Sequence, residues 1–171
     1  MMKVLGAGMI FLASILTASA MIAEKRNRYR LLISLKESLF LLCNEIGERT
    51  APLAESFAYL SNHGNCEATC RFYRRITGEM SALGEKLFSE IWQDSVSAEL
   101  VLLSEQEKAV LLSIGQAFSG VDPEMLCGRL ENAAHALDAQ IEKMEKEKND
   151  YLRLAFGLPL SIGVLTIIML I

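Results

Sequence analysis

The chain has 171 residues, 51% of them apolar and 22% charged, with a net charge of −4 at neutral pH. A mildly acidic chain lacks the basic face that displaces counterions from phosphates, which excludes nonspecific nucleic-acid binding. Lys3 is the only charged side chain before Glu24 and none follows Arg153, so the charged middle has room for one packed core and no more.

The first predicted element is an N-terminal transmembrane helix over residues 1–23. Val4 to Ala23 carries no Asp, Glu, Lys or Arg, and a bilayer core about 30 Å thick needs about 20 such residues, with about 17 tolerated. Gly6, Ala13, Thr17 and Ala20 fall near one face and are candidates for close helix packing in the membrane. Lys25, Arg26, Arg28 and Arg30 crowd the inner end against Lys3 at the other. Lys and Arg resist translocation, which places the middle of the chain in the cytoplasm and the N-terminus on the opposite side. Ala18-Ser19-Ala20 also resembles a signal-peptide cleavage site. The apolar run continues past it to Ala23 and four basic residues follow, which favours an uncleaved anchor.

The middle, residues 24–153, reads as a set of helices. Leu31, Leu35, Leu39, Leu42 and Ile46 recur at spacings of four and three, the stripe of an amphipathic helix, and no Gly or Pro interrupts Glu24 to Ile46. Gly47 and Pro52 punctuate its end. A short helix is predicted from Ala51 to Leu60 with Thr50 as cap, and Glu45, Pro52 and Leu53 are candidates for fixing the turn or meeting a partner. Ser61 to Asn65 has the composition of a turn. A third helix is predicted from Glu67 to about Phe88, burying Phe72, Ile76, Met80, Leu83 and Leu87, although Gly78 and Gly84 interrupt its pattern. Arg71, Arg74 and Arg75 form a basic patch on it, either a solvated face or a grip for lipid headgroups or an acidic partner. Ile91, Trp92 and Val96 mark a further short segment, with Trp92 as a core anchor.

Ser104 with Glu107 three residues later is a capping-box pattern, and the helix after it turns Val110, Leu111, Ile114 and Phe118 inward. Asp122-Pro123-Glu124 starts the last body helix: an Asp cap, Pro in the first turn, and acid near the positive end of the helix dipole. Leu130, Leu137, Ile141, Met144 and Tyr151 carry its stripe onward. Leu154 to Ile171 is uncharged and is predicted as a C-terminal transmembrane helix over 154–171, with Gly157 and Ser161 as a small-residue packing pair and Pro159 loosening it. Lys143, Lys146, Lys148 and Arg153 precede it and nothing basic follows, which puts the C-terminus on the same side as the N-terminus. The predicted fold is therefore all-α: a cytoplasmic antiparallel helical bundle between two transmembrane helices.

Cys43, Cys66, Cys70 and Cys127 suffice for two disulfides outside a cell, but thiols stay reduced in a cytoplasm. His63, Cys66 and Cys70 lie close in sequence, yet their spacing matches no common zinc signature, and Cys66 and Cys70 share one helix face as small apolar groups. No phosphate-binding loop, nucleophile elbow or His-Glu-x-x-His motif occurs, and His63 and His135 are the only histidines. No enzyme activity, metal or cofactor is expected. A membrane-anchored platform for other proteins remains, with a thiol- or metal-responsive sensor built on His63, Cys66 and Cys70 as the alternative.

The order of these segments resembles the stage III sporulation protein AB family over the whole chain. The resemblance is carried by the start Met1-Met2-Lys3-Val4-Leu5-Gly6 and by the stretch from Leu42 to Phe57, with its Glu45, Thr50 and Pro52-Leu53. Trp92 between the middle helices, the leucine-rich Ser104 to Gly115 leading to Gly120-x-Asp122, and the terminal membrane segment complete it. The family's Gln after that Asp is missing here, where Pro123-Glu124-Met125-Leu126 stands. The resemblance implies a secretion-like channel complex at the membrane between mother cell and forespore. It also implies a body similar to the cytoplasmic domains of type II secretion and type IV pilus platform proteins. The implied partners are a cytoplasmic secretion-type ATPase and other membrane subunits, beside membrane lipid.

Overall fold

The computed structural model describes the backbone of residues 2–48, 53–118 and 122–170. Side-chain surroundings are described for residues 9, 12, 13, 15–46, 53–81, 83–118, 122–147 and 161. Every regular element among them is helical: α1 (Met2–Glu48), α2 (Leu53–His63), α3 (Glu67–Glu79) with a 3₁₀ turn at Met80–Ala82, α4 (Phe88–Glu99), α5 (Glu105–Ala117) and α6 (Pro123–Leu170).

The chain divides into two compact units, Arg28–Glu142 and the pair of segments Met1–Asn27 and Lys143–Ile171. In the larger unit the leucine stripe of α1 is wholly inside, with Leu31, Leu32, Leu35, Leu39 and Leu42 buried. Pairings between α1 and α6 fix their direction. Cys43 meets Cys127, Phe40 meets His135 and Lys36 meets Asp138, so partners climb α6 as positions descend α1. The two helices are antiparallel here, as the sequence predicts. Leu130, Leu137 and Ile141 of α6 are buried.

Trp92 anchors the other half of the core, fully buried with its Nε1–H donating to the Leu111 carbonyl at 2.8 Å. Aromatic rings surround it: Phe72 edge-on at 5.0 Å, Phe118 at 5.4 Å and Phe88 at 6.0 Å between centroids. An aromatic of that size hides about 150–250 Å² from water, worth about 4–6 kcal/mol before entropy. Gly115 makes the close approach of α5 to the indole possible, since a Cβ there would lie 2.6 Å from Trp92 Cδ1.

The third helix is shorter than its apolar spacing predicts. It ends at Glu79, and Leu83 and Leu87, expected inside, are exposed. Gly78 and Gly84 explain the overrun: Gly84 takes φ = 123°, a backbone conformation closed to a continuing helix of L-residues, and the chain turns into α4. The second helix ends three residues later than predicted, absorbing Ser61, Asn62 and His63, and its predicted start at Thr50 and Ala51 lies outside the described residues. The last helix runs through Pro159 without a break.

In the smaller unit, Met9, Leu12, Ile15, Leu16 and Met21 are exposed along the first part of α1. Among the described residues no helix is long and apolar enough to cross a membrane. The two predicted spans fall in large part outside the residues with described side chains. Of their packing candidates, Ala13, Thr17, Ala20 and Ser161 are exposed, while Ala18 is the buried small residue. Gly6 and Gly157 lie outside the described side chains.

Candidate interaction surfaces

The α5 cap is the best-defined polar site of the larger unit. Ser104 Oγ accepts from the Glu107 N–H, and Glu107 Oε2 accepts from the Ser104 N–H at 2.8 Å, the reciprocal pair that the sequence predicts. Its carboxylate does a second job invisible in the sequence. Arg28, on α1, donates to it twice, from Nη2 at 2.7 Å and from Nε at 3.1 Å. Glu107 is 1% exposed, so both oxygens are satisfied inside the protein by a bidentate charge-assisted contact.

The predicted basic patch on α3 is matched by acids. Arg71 donates to Glu67 and Glu99 at 3.1 Å each, and Arg75 to Glu79 at 3.1 Å with Glu99 at 3.9 Å. Hydrogen bonding to Glu99 raises the Arg71 pKa above its ordinary value. Arg74 reaches the Ser61 carbonyl at 3.4 Å. The face therefore joins α3 to α4 through mutually compensating charges that are solvated, and such pairs contribute little stability each. Of the other turn candidates, Glu45 and Leu53 are half-buried, and Pro52 lies outside the described residues.

His63, Cys66 and Cys70 do not assemble a ligand set. The His63 ring stacks on Tyr59 at 4.3 Å with Nδ1 at 3.1 Å from the Tyr59 carbonyl. Cys66 precedes α3 as its cap residue, and Cys70 Sγ donates to the Gly64 carbonyl at 3.4 Å. The structure instead brings together Cys43 and Cys127, expected as free thiols, in a disulfide between α1 and α6 with Cα atoms 4.7 Å apart. A carboxylate oxygen of Glu131, one turn beyond Cys127, lies 3.6 Å from Cys43 Sγ, and these three are the only group among the described residues with the arrangement of metal ligands. Separation in sequence hid the pair, 84 residues apart, although each cysteine lies near the distal end of its helix stripe.

Two exposed apolar spots lie at opposite ends of α4. Leu83 and Leu87 stand out in the turn before it, where the Leu87 N–H is held by the Glu90 carboxylate at 3.2 Å. Val101 and Leu102 stand out after it, between buried Leu100 and Leu103.

A family model described as stage III sporulation protein AB matches residues 3–171. Comparison with curated proteins and with solved structures finds no match.

Proposed function

Because the chain belongs to the stage III sporulation protein AB family, we propose that it is a non-enzymatic platform subunit in a secretion-like membrane complex between mother cell and forespore. Its body docks a cytoplasmic secretion-type ATPase, and its two ends hold it in the bilayer beside the other membrane subunits. The observation that carries this reading is the row of exposed apolar side chains at Met9, Leu12, Ile15, Leu16 and Met21 on one continuous helix. Such a surface is stable in lipid and costly in water. The internally compensated charges of α3 and α4 leave apolar turns as the docking material, and Leu83 with Leu87 offers one. Full-length protein in lipid vesicles is expected to bind the ATPase of the complex, and Leu87→Asp to weaken that binding while leaving helicity intact. An unchanged affinity would remove the turn from the interface, and no affinity in the wild type would remove the docking role.

A second reading, a thiol-responsive membrane regulator, is favoured by the Cys43–Cys127 disulfide rather than by the predicted Cys66 and Cys70. Disulfides persist in oxidising compartments and are rare in a cytoplasm, so the side on which the body lies decides between the readings. Labelling of Cys66 in intact cells by a membrane-impermeant maleimide separates them: protection supports the cytoplasmic platform, and labelling supports a body on the opposite side.

A further inference from the structure

Cys43 of α1 and Cys127 of α6 meet with Cα atoms 4.7 Å apart, inside the larger unit. Glu131 stands one turn along α6 from Cys127, and the three ligand atoms lie within 4.8 Å of one another. Residues at i and i+4 share a helix face, so α6 offers two ligand positions as helical metal motifs do. The antiparallel α1 offers the third, in the way bundles build metal sites from facing helices. A Glu131 carboxylate oxygen is 3.6 Å from Cys43 Sγ. Zinc holds oxygen at about 2.0 Å and sulfur at about 2.3 Å, which in a tetrahedron sets those two atoms about 3.5 Å apart. This pair therefore already has the spacing of two ligands on one ion. No Lys or Arg stands one turn from Glu131 on its helix, where Cys127, Gly128, Ala134 and His135 hold the positions. The carboxylate thus faces sulfur with no local cation to neutralise it.

We propose that Cys43, Cys127 and Glu131, once the sulfurs are reduced, bind a single thiophilic divalent cation of the zinc type that staples α1 to α6. A dithiol reductant cleaves the S–S bond, its own two sulfurs becoming the new disulfide, and leaves two thiols. The cation then displaces their two protons to solvent, because thiolates and not thiols are the ligands. Two thiolate sulfurs select zinc over magnesium or calcium. Three protein ligands leave the fourth tetrahedral position to water. The ion bridges the same 84-residue separation as the disulfide, so the junction survives where a disulfide does not. Occupancy in the cell rests on the reading that the body is cytoplasmic, where thiols stay reduced; the affinity of the reduced site does not.

The test is a cobalt titration of the full chain in detergent, carrying Cys66→Ala and Cys70→Ala so that the pair supplies the only thiols. The protein is reduced with a phosphine, freed of metal and titrated with Co²⁺ without air. A thiolate-to-cobalt charge-transfer band is expected to saturate at one equivalent and to bleach when Zn²⁺ is added. Cys127→Ser should abolish the band. Glu131→Gln should weaken Co²⁺ affinity by more than about tenfold, a loss that even the outer hydrogen-bond partners of metal ligands produce. Cys127 is half-buried and Glu131 exposed, and circular dichroism checks that each variant keeps its helices. Should the double alanine background lose helicity, the wild-type chain and its Cys127→Ser variant give the same comparison. No band in reduced, helical protein overturns the site, as does a band that persists in Cys127→Ser. Equal affinity in Glu131→Gln overturns the three-ligand set. No ATPase or vesicle enters the measurement, so each of these results leaves the docking role to its own test.

Discussion

Gly115→Ala is the sharpest probe of the core, because the clash it creates is defined to the atom. The new Cβ would stand 2.6 Å from Trp92 Cδ1, 2.9 Å from Cγ and 3.1 Å from Cβ, against a carbon–carbon optimum of about 3.5–4.0 Å. The indole has nowhere to retreat: it is enclosed by aromatic rings and tied at Nε1 to the Leu111 carbonyl, which belongs to the same helix as Gly115. Either α5 moves off α4 or the tie is lost. Overpacking of this kind costs about 1–3 kcal/mol, and a lost buried hydrogen bond about 1 kcal/mol more. Alanine returns about 1 kcal/mol through its better helix propensity, so the expected net loss is about 1–3 kcal/mol. For a domain of this size that lowers the melting temperature by about 3–12 °C, readable by circular dichroism of the full chain in detergent. A blue or red displacement of the single tryptophan emission reports the same disturbance locally. A variant as stable as wild type, with unchanged emission, would refute the claim that glycine is there to admit the indole.

Glu107→Gln removes the charge that Arg28 faces. Arg28 is 30% exposed and so partly screened, which reduces the expected loss to about 1–2 kcal/mol, and a double-mutant cycle with Arg28→Met should return a coupling of the same size. A coupling of zero would make the contact incidental. Burial pushes the Tyr73 hydroxyl well above its ordinary pKa. Unfolded chains then release this proton first, so stability falls as pH climbs above about 10. Tyr73→Phe should flatten that decline in an alkaline titration of ellipticity. Leu53→Asp places a charge on a half-buried site and is expected to lower helicity; normal helicity with lost partner binding would assign Leu53 to an interface. Cys66→Ala with Cys70→Ala should leave sporulation intact, and a failure with normal protein levels would return these thiols to the functional account.

What was legible in the sequence was what local chemistry decides. The α1 stripe, the Ser104–Glu107 cap, Pro123 in the first turn of α6 and the core role of Trp92 all depend on spacings within one element, and each is where periodicity puts it. Position in a helix also misleads when breakers are discounted. Met80, Leu83 and Leu87 continue the α3 stripe, and two glycines outweigh them. Partners far apart in the chain left no trace: Arg28 finds Glu107 across 79 residues and Lys36 finds Asp138 across 102. The acid that compensates Arg71 and Arg75 went unseen for the same reason, since Glu99 belongs to another helix. Ser38 shows how little a sequence says of buried hydroxyls. Its proton goes to the Leu35 carbonyl at 2.7 Å, so Tyr73 must donate to it across α1 and α3.

The Glu107 carboxylate has a consequence for motion. One side chain closes the first turn of α5 and holds a guanidinium of α1, so that turn cannot fray without stranding a cation. Transient opening there and slippage of α1 become a single event with a combined cost, and amide exchange at the start of α5 should be as slow as in the middle of a helix. The protein has thereby stiffened the corner at which α1 leaves the larger unit.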